Sequence, residues 1–219
     1  MPRAVLAALV VVHAVGVSAE AAAPPNKPVV RLNAVDNALA RAAVLRRADL
    51  GSTGWSGGSV KPDVSSTLSC PGYTPKQSDL VVTGAAETDF RRTVLQLQSV
   101  AELLKTRAMV ARDWRRTVAD PRGSACLRHL LVKGLTRSER LVSFRKLAFP
   151  RLTRYTAAYR SVVSVRTQGT TVPVLFDAVL VARGRTELTL TMIAPFAARA
   201  NVSRAEVRLA RGLLARMRA

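Results

Sequence analysis

The sequence predicts an α+β fold in which an antiparallel sheet packs against helices. Over residues 141–193, apolar and polar side chains alternate, which indicates a meander of three or four strands. Over 105–133, apolar side chains recur at helical spacing, and over 203–217 apolar and basic residues take opposite sides of an amphipathic C-terminal helix. One or two earlier strands are expected to complete the sheet.

The first predicted elements are a helix and a long loop. The helix covers Asn37–Arg47, follows Asp36 and closes near Leu50-Gly51. Residues 51–82 are dense in Gly, Ser, Thr and Pro, and this composition favours a loop with short extended pieces.

An early strand is predicted over Thr93–Leu103, because apolar and polar residues occupy alternate positions there. One face carries Leu95, Leu97 and Ala101, and the other carries Gln96 and Gln98. Two helices are predicted after it. Met109 and Trp114 face inward from the first, Asp120-Pro121 ends it, and Ser124 caps the second, which runs to Lys133-Gly134.

The predicted meander contains four segments, of which the second alternates most regularly. They are Leu141–Phe149, Tyr155–Thr167, Val172–Arg183 and Thr186–Ile193. Tyr155 and Tyr159 share one face of the second segment with Val163. The sequences Gln168-Gly169-Thr170 and Arg183-Gly184-Arg185 predict the turns that follow the second and third segments.

The last predicted helix has a local start signal. Ser203 and Glu206 form a capping box, and Val202 and Val207 supply a hydrophobic staple. One side of the helix is apolar, and the opposite side is basic, with Arg204, Arg208, Arg211 and Arg218. This basic side is either a solvated outer face or a surface that contacts anionic lipids or polymers.

The N-terminal segment predicts export from the cytoplasm. Arg3 precedes the apolar run Ala4–Val17, and Val17-Ser18-Ala19 matches a cleavage site, so residues 1–19 are predicted as a signal peptide. Residues 20–34 are predicted as a disordered leader, and 35–219 as a single domain. We expect a secreted chain without a transmembrane segment, for which nucleotide cofactors and cytosolic partners are disfavoured.

The two cysteines, Cys70 and Cys126, are expected to form a disulfide bond because the predicted compartment is oxidising. The bond would close a loop of 57 residues (70–126). Loop-closure entropy for that length corresponds to roughly 4 kcal/mol of stabilisation. Free thiols and a metal pair are the alternatives, but two cysteines without a nearby histidine pair cannot complete a tetrahedral zinc site.

The charge distribution is strongly basic in the second part of the chain. The net charge is +20, and residues 91–219 hold 26 basic and seven acidic side chains, whereas 20–90 hold seven of each. Such a field attracts polyanions. Anionic wall polymers and lipid headgroups are therefore possible partners, although an arginine-rich composition alone also explains the excess. Specific nucleic-acid binding is not expected, because no recognition motif is present.

Catalytic motifs are weak. Gly54–Gly58 matches G-x-S-x-G, and Ser56 with His129 is the serine-hydrolase arrangement to test. Asp177 and Glu187, on neighbouring predicted strands, are the one carboxylate pair that the sequence places near each other. No metal cluster or cofactor motif is evident, and the expectation is a protein that is not an enzyme.

Three segments carry a resemblance to a known family. Ala48–Trp55, the pair Trp114 and Cys126, and Phe176–Glu187 resemble segments of actinobacterial exported proteins similar to the extracytoplasmic sensor domains of mycobacterial serine/threonine kinases. The resemblance implies an α+β domain with a ligand-binding cleft. The chain differs from these kinases in having only two cysteines and no membrane span.

The sequence is compatible with two functions, and a serine hydrolase is a third that it favours less. The first is a non-catalytic ligand-binding or sensor-like domain of the cell envelope, for a small molecule or lipid. Its candidate ligand-binding residues are Trp55, Tyr155 and Tyr159. The second is a basic interaction protein that docks on anionic wall polymers or lipid headgroups through its arginines.

Overall fold

The structure is a computed structural model that describes residues 26–51, 53–64 and 67–217. In these residues, eight strands form one mixed sheet, and four α-helices pack with it. The fold is α+β, as predicted. The strands are β1 (Val29–Val30), β2 (Ser56–Val60), β3 (Val81–Arg92), β4 (Leu95–Leu104), β5 (Glu139–Lys146), β6 (Tyr155–Thr167), β7 (Thr170–Arg183) and β8 (Thr186–Pro195). The helices are α1 (Ala34–Ala43), α2 (Arg107–Thr117), α3 (Pro121–Gly134) and α4 (Arg199–Arg216).

The sheet joins a hairpin to a meander. Its strand order is β1-β3-β4-β8-β7-β6-β5, with β2 also paired to β3. The β1–β3 pair is parallel and the other pairs are antiparallel. Strand β8 inserts between β4 and β7, so the chain must cross from β4 to the opposite edge of the sheet before the meander starts. Helices α2 and α3 make that crossing.

The larger apolar core lies on the face of the sheet that α1 and α4 cover, called here the α1/α4 face. Leucines dominate it, consistent with the scarcity of aromatic residues. Its fully buried leucines are Leu45, Leu103, Leu175, Leu188, Leu190 and Leu213. Removal of this apolar surface from water is the main stabilising contribution to the fold.

The opposite face of the sheet, called the α2/α3 face, has a smaller core. Met109, Trp114 and Tyr155 pack there around a buried cluster of Val82, Leu104, Val110 and Ala182. Met109 and Trp114 therefore face inward, as predicted. The core is small, and two cavities lie between these helices and the sheet.

The meander confirms the alternation read from the sequence. Strand β6 has the predicted bounds, and the other three strands differ from their predictions by a few residues. Gln168, Gly169 and Gly184 adopt positive φ values of 47°, 77° and 61° in the two hairpin turns. Turns of this kind match the twist of the adjoining strands.

Strand β3 is the main element that no sequence pattern predicted. Most of its residues are buried, and Gly84, Ala85 and Ala86 give no alternation of large apolar and polar side chains. A Cβ atom on Gly84 would lie 2.4 Å from the carbonyl oxygen of Asp36. The glycine therefore allows the first turn of α1 to pack directly against the strand.

Two helices begin earlier than predicted because of their N-caps. Asn33 caps α1, since its side chain accepts a hydrogen bond from the Asp36 amide at 2.9 Å. Asp120 caps α3 by accepting one from the Arg122 amide at 2.9 Å. Ser124, the predicted cap, instead donates its hydroxyl hydrogen to the Pro121 carbonyl oxygen within the helix.

The N-terminal part of the described chain pairs with the sheet. The predicted leader covers 20–34, but Val29–Val30 forms β1, and the Arg31 amide donates to the Val82 carbonyl oxygen at 2.8 Å. Backbone groups make this pairing, so side-chain patterns did not indicate it. The predicted signal peptide, residues 1–19, and Arg218 lie outside the described residues. No helix in the described ranges is long and apolar enough to cross a membrane.

Candidate functional site

A cleft of about 300 Å³ lies on the α1/α4 face, between the first turns of α4 and the sheet. Trp55, predicted as a ligand-binding candidate, contributes to its wall and is itself only 8% exposed. Apolar side chains form most of the lining. They are Leu50, Leu95, Leu97, Met192, Ala198, Val202, Ala205 and Leu209. A cleft of this size and composition suits the apolar part of a small molecule.

The polar side chains of the cleft are basic or neutral. Arg92 and Arg208 line it together with Asn201, and no carboxylate is among its lining residues in the described chain. The Arg92 guanidinium lies 5.1 Å from the centroid of the Trp55 ring. A terminal nitrogen of Arg208 donates to the Asp49 carbonyl oxygen at 3.2 Å. The cleft therefore combines an apolar floor with two positive charges, an arrangement that favours an anionic group on the ligand.

Contacts from Arg47 position Trp55. One terminal nitrogen of Arg47 donates to the Trp55 carbonyl oxygen, and the other donates to the Gly57 carbonyl oxygen at 3.2 Å. Gly57 has a φ of 96°, and a Cβ atom there would lie 2.1 Å from the Asp89 carbonyl oxygen. Only glycine allows β2 to approach β3 this closely, so the backbone that carries Trp55 is tightly constrained.

An ion pair joins the loop wall of the cleft to α4. Arg216 contacts both oxygens of Asp49, at 2.8 and 2.9 Å, and also donates to the carbonyl oxygens of Ala42 and Val44. Although burial alone would raise it, the pKa of Asp49 is lowered because Arg216 binds its charged form. The charge of Asp49 is thus balanced by Arg216, and Asp49 is not among the residues that line the cleft.

The two tyrosine candidates lie on the opposite face of the sheet. The ring centroid of Tyr155 is 5.5 Å from that of Trp114, and Tyr159 stacks on Phe144 at 5.7 Å. The sequence correctly placed both tyrosines on one face of β6, but it carried no information about the side on which Trp55 lies. Only Trp55 among the three candidates contributes to the cleft.

The basic side of α4 faces solvent, as its sequence pattern indicates. Arg204, Arg208 and Arg211 are exposed. Arg204 hydrogen-bonds the side chain of Asn201, and Arg208 is directed to the loop at Asp49. Contact of this surface with anionic polymers or lipids stays a prediction.

The predicted capping box of α4 is wrong. The helix begins at Arg199, so Ser203 and Glu206 lie within it rather than at its start. The Ser203 hydroxyl donates to the Arg199 carbonyl oxygen at 3.1 Å, and Glu206 is buried at 1% exposure. Helical spacing from Val202 to Leu209 and Leu213 does place Glu206 on the apolar side, and this signal was available in the sequence.

Glu206 belongs to a buried ionic cluster between α4 and the sheet, which we call the Arg160 cluster. Arg160 on β6 binds the fully buried carboxylate of Asp177 on β7 at 2.9 Å and contacts Ser203 at 3.0 Å. The carboxyl group of Glu206 lies beside that of Asp177, to which it donates a hydrogen bond when protonated. Burial and the negative charge of Asp177 raise the pKa of Glu206 to about 9, so its carboxyl group is neutral at pH 7.

The protonation of Glu206 predicts a pH dependence of stability. The native state keeps this proton up to the pKa of about 9, whereas the unfolded chain loses it near the ordinary value of 4.5. The stability that the neutral carboxyl group supplies is therefore complete below pH 4.5 and is lost as the pH rises through 9. Within that window, one proton changes the free energy of unfolding by about 1.4 kcal/mol per pH unit.

Urea unfolding of the Glu206→Gln variant at pH 6, 7 and 8 tests this dependence. Glutamine cannot ionise, so we expect the slope of unfolding free energy against pH to be shallower by about 1.4 kcal/mol per unit. Glu87→Gln is the matched control, since Glu87 is only half-buried on β3 and accepts a hydrogen bond from Gln98. Equal slopes for the two variants would contradict the assignment.

A second group of carboxyls lies on the α2/α3 face and was not predicted. Glu102 and Glu187 occupy opposite positions on β4 and β8, and Asp113 of α2 lies beside them. Burial raises the pKa of Glu102 to about 7 and raises the pKa values of Asp113 and Glu187 as well. Asp113 and Glu187 line a cavity of about 210 Å³ with Trp114.

The predicted carboxylate pair of Asp177 and Glu187 is wrong. Across β7 and β8, Asp177 lies opposite Met192 and Glu187 lies opposite Ala182, so the two acids project from opposite faces of the sheet. Each instead belongs to a different buried cluster. Among the residues that the structure describes, no group of His, Cys, Asp and Glu is arranged to hold a metal ion.

A third cavity, of about 210 Å³, lies between α3 and the meander, and we call it the α3 groove. Apart from Gly134 and Glu139, its lining is apolar. The apolar residues are Leu130, Leu131, Leu135, Val163, Val165, Val174, Phe176 and Ile193.

Ser56 and His129 are not arranged as a catalytic pair. Ser56 is the first residue of β2, and its hydroxyl donates to the Arg91 carbonyl oxygen at 3.2 Å. A nucleophile elbow instead requires a strand before the serine and a helix after it. His129 is exposed on α3, which packs toward β5 at the opposite edge of the sheet.

Cys70 and Cys126 form the predicted disulfide bond, with their Cα atoms 5.7 Å apart. Cys126 is buried on α3. Cys70 lies in a tight turn in which its amide and carbonyl pair with those of Tyr73 at 2.9 Å. The bond therefore holds the long loop before β3 against the helix, as the sequence predicts.

No protein-family model matches this chain, and no curated protein matches it significantly. The resemblance of Ala48–Trp55 and Phe176–Glu187 to the kinase sensor domains stays a prediction. The chemical character of the cleft therefore follows from its lining residues alone.

Proposed function

We propose that the chain is an exported, non-catalytic ligand-binding or sensor-like domain of the bacterial cell envelope, and that the cleft at Trp55 binds its ligand. One observation carries the proposal. The cleft combines an indole wall and an apolar floor with two arginines and no carboxylate among its described lining residues.

The ligand class follows from that chemistry. The apolar lining favours a hydrocarbon or ring body, and the guanidinium groups of Arg92 and Arg208 favour a carboxylate or phosphate group. The volume of about 300 Å³ limits the bound portion to a small molecule or a single short chain. A small amphipathic anion meets these requirements.

Two observations support an extracytoplasmic location for this activity. The disulfide bond is of a kind that persists in oxidising compartments, and the first 19 residues have the pattern of a signal peptide. The resemblance to kinase sensor domains implies a ligand-binding cleft, which agrees with this function.

Binding of octanoate tests the ligand class, with octanamide as the neutral analogue of the same shape. We expect octanoate to bind more tightly, because arginine forms charge-assisted hydrogen bonds with a carboxylate. Arg208→Gln should weaken octanoate binding about tenfold and leave octanamide binding nearly unchanged. Isothermal titration calorimetry measures both affinities.

Arg211→Gln is the matched control, because Arg211 is exposed on the same helix but does not line the cleft. It should bind octanoate as the unchanged protein does. Equal binding of octanoate and octanamide would contradict the anionic class. Failure of both probes, together with no co-purifying ligand in native mass spectrometry of secreted protein, would contradict a binding function for the cleft.

A further inference from the structure

The α3 groove ends where three segments meet: the last turn of α3, the turn 135–138 and the β6–β7 hairpin. Two large apolar side chains are exposed at this end. Val132 is 46% exposed on α3, and Val172 is 38% exposed on β7, directly opposite Val165 of the groove. The apolar surface of the groove therefore continues to the outside of the molecule.

Four exposed basic side chains lie at this end, and we call them the basic rim. They are Lys133, Arg137, Arg140 and Arg166. Two of them lie on α3 and the turn after it, and strand alternation places the other two, on β5 and β6, on the opposite face of the sheet from the groove. Each is one or two positions from a residue that lines the groove, namely Gly134, Leu135, Glu139 or Val165. No side chain of the rim forms an ion pair or a hydrogen bond with another residue in the described part of the chain.

One carboxylate lies among them and does not neutralise the rim. Glu139 Oε2 accepts hydrogen bonds from the Thr136 amide at 2.8 Å and from the Thr136 hydroxyl at 3.0 Å. The carboxylate thus stabilises the turn between α3 and β5. Four cations against one anion leave an excess of three positive charges at this end of the molecule, beside the apolar groove.

We propose that this end of the molecule docks on an anionic phospholipid membrane. The basic rim contacts the phosphate groups, and the exposed valines and the α3 groove take up an acyl chain from the interface. This surface is separate from the cleft at Trp55, and the proposal does not depend on the function of that cleft.

Other occupants fit these observations less well. An anionic wall polymer would satisfy the rim but would leave the apolar groove empty. A second copy of the chain would bring two positive rims together, which is repulsive. The basic side of α4 adjoins the Trp55 cleft at Arg208, and two of its arginines, Arg204 and Arg208, already have partners within the protein.

Co-sedimentation with lipid vesicles tests the docking. The protein should bind vesicles of phosphatidylcholine with about 30% phosphatidylglycerol roughly a hundredfold more tightly than vesicles of pure phosphatidylcholine, because each of the three excess positive charges contributes about fivefold. The rim variant Arg137→Glu/Arg140→Glu should lose at least about 25-fold in affinity, since two attractive charges are removed and two repulsive ones are added. Equal binding to both vesicle types would overturn the proposal.

Arg204→Glu/Arg211→Glu is the matched control, because it makes the same change in charge on the exposed side of α4. It should lose less than about threefold in affinity, as expected for a charge change outside the contact and screened by salt. A larger loss in this control than in the rim variant would place the contact on α4 and overturn the proposal.

A third pair of variants tests the groove. A Cβ atom on Gly134 or on Gly212 would meet nothing within 4 Å, so both positions accept a side chain. Gly134→Gln places a polar group in the groove and should weaken vesicle binding several-fold, whereas Gly212→Gln on α4 should not. Binding to soluble polyphosphate should be the same for both. If Gly134→Gln binds vesicles as Gly212→Gln does, the contact is electrostatic only and acyl-chain uptake is wrong.

Discussion

Replacement of Arg160 with methionine is expected to lower the free energy of unfolding by about 3–5 kcal/mol. Arg160 binds the carboxylate of Asp177, which has no exposure to solvent, and both lie beneath α4. Methionine fills a similar volume but removes the positive charge. The buried carboxylate then loses its counter-ion, and this unpaired charge is the origin of the loss.

Chemical denaturation of three variants tests this expectation. Arg145→Met is the control, because Arg145 lies opposite Arg160 on β5 but is exposed, and it should change stability by less than about 0.5 kcal/mol. The double variant Arg160→Met/Asp177→Asn should regain most of the loss, since it removes both charges. Loss of the same size in the double variant would show that packing, and not charge, is responsible.

An Arg160→Lys variant extends the test to the case in which the methionine variant does not fold. Lysine keeps one positive charge but cannot reproduce the two-pronged contact with Asp177. We therefore expect an intermediate loss of stability. A lysine variant as stable as the unchanged protein would contradict the role assigned to the guanidinium geometry.

Removal of the disulfide bond is expected to lower the free energy of unfolding by about 4 kcal/mol, the value for a loop of this length. The double variant Cys70→Ser/Cys126→Ser opens a loop that spans residues 70–126. The bond attaches the segment before β3 to α3, where Tyr73 also donates a hydrogen bond to the Arg116 carbonyl oxygen. The loss comes mainly from the greater freedom of the unfolded chain.

Urea unfolding with and without a thiol reductant measures this contribution. The reduced protein and the double serine variant should have the same unfolding midpoint, both below that of the oxidised protein. The double serine variant should not respond to the reductant. An unchanged midpoint on reduction of the unaltered protein would contradict a stabilising disulfide bond.

The sequence predicted the parts of the fold whose signals are local. The alternation in Tyr155–Thr167 defined β6, and the glycines at 169 and 184 indicated the turns at the two ends of β7. Strand β3 escaped prediction because Gly84–Ala86 are small and are packed from both sides. Strand β1 escaped because backbone pairing across about 50 residues forms it.

The candidate site was predicted only in part, because only some of its residues have local sequence signals. Trp55 and the disulfide pair followed from residue type, but the cleft required α4, β4 and β8 to meet. Glu206 matched a start signal for α4, and the helix in fact begins at Arg199. The spacing of Glu206 relative to Val202, Leu209 and Leu213 instead placed it on the apolar side of the helix, and this agrees with the tertiary structure.

The sequence by itself determined the α+β class, the meander, the disulfide pair and the basic outer side of α4. Each depends on residue type or on spacing within one segment. Only the tertiary structure decided that Arg160, Asp177 and Glu206 form one buried cluster, that Trp55 joins Arg92 and Arg208 in a cleft, and which face of the sheet each occupies. These arrangements arise from strand order and helix docking, which bring together residues far apart in the chain, and local periodicity carries no information about them.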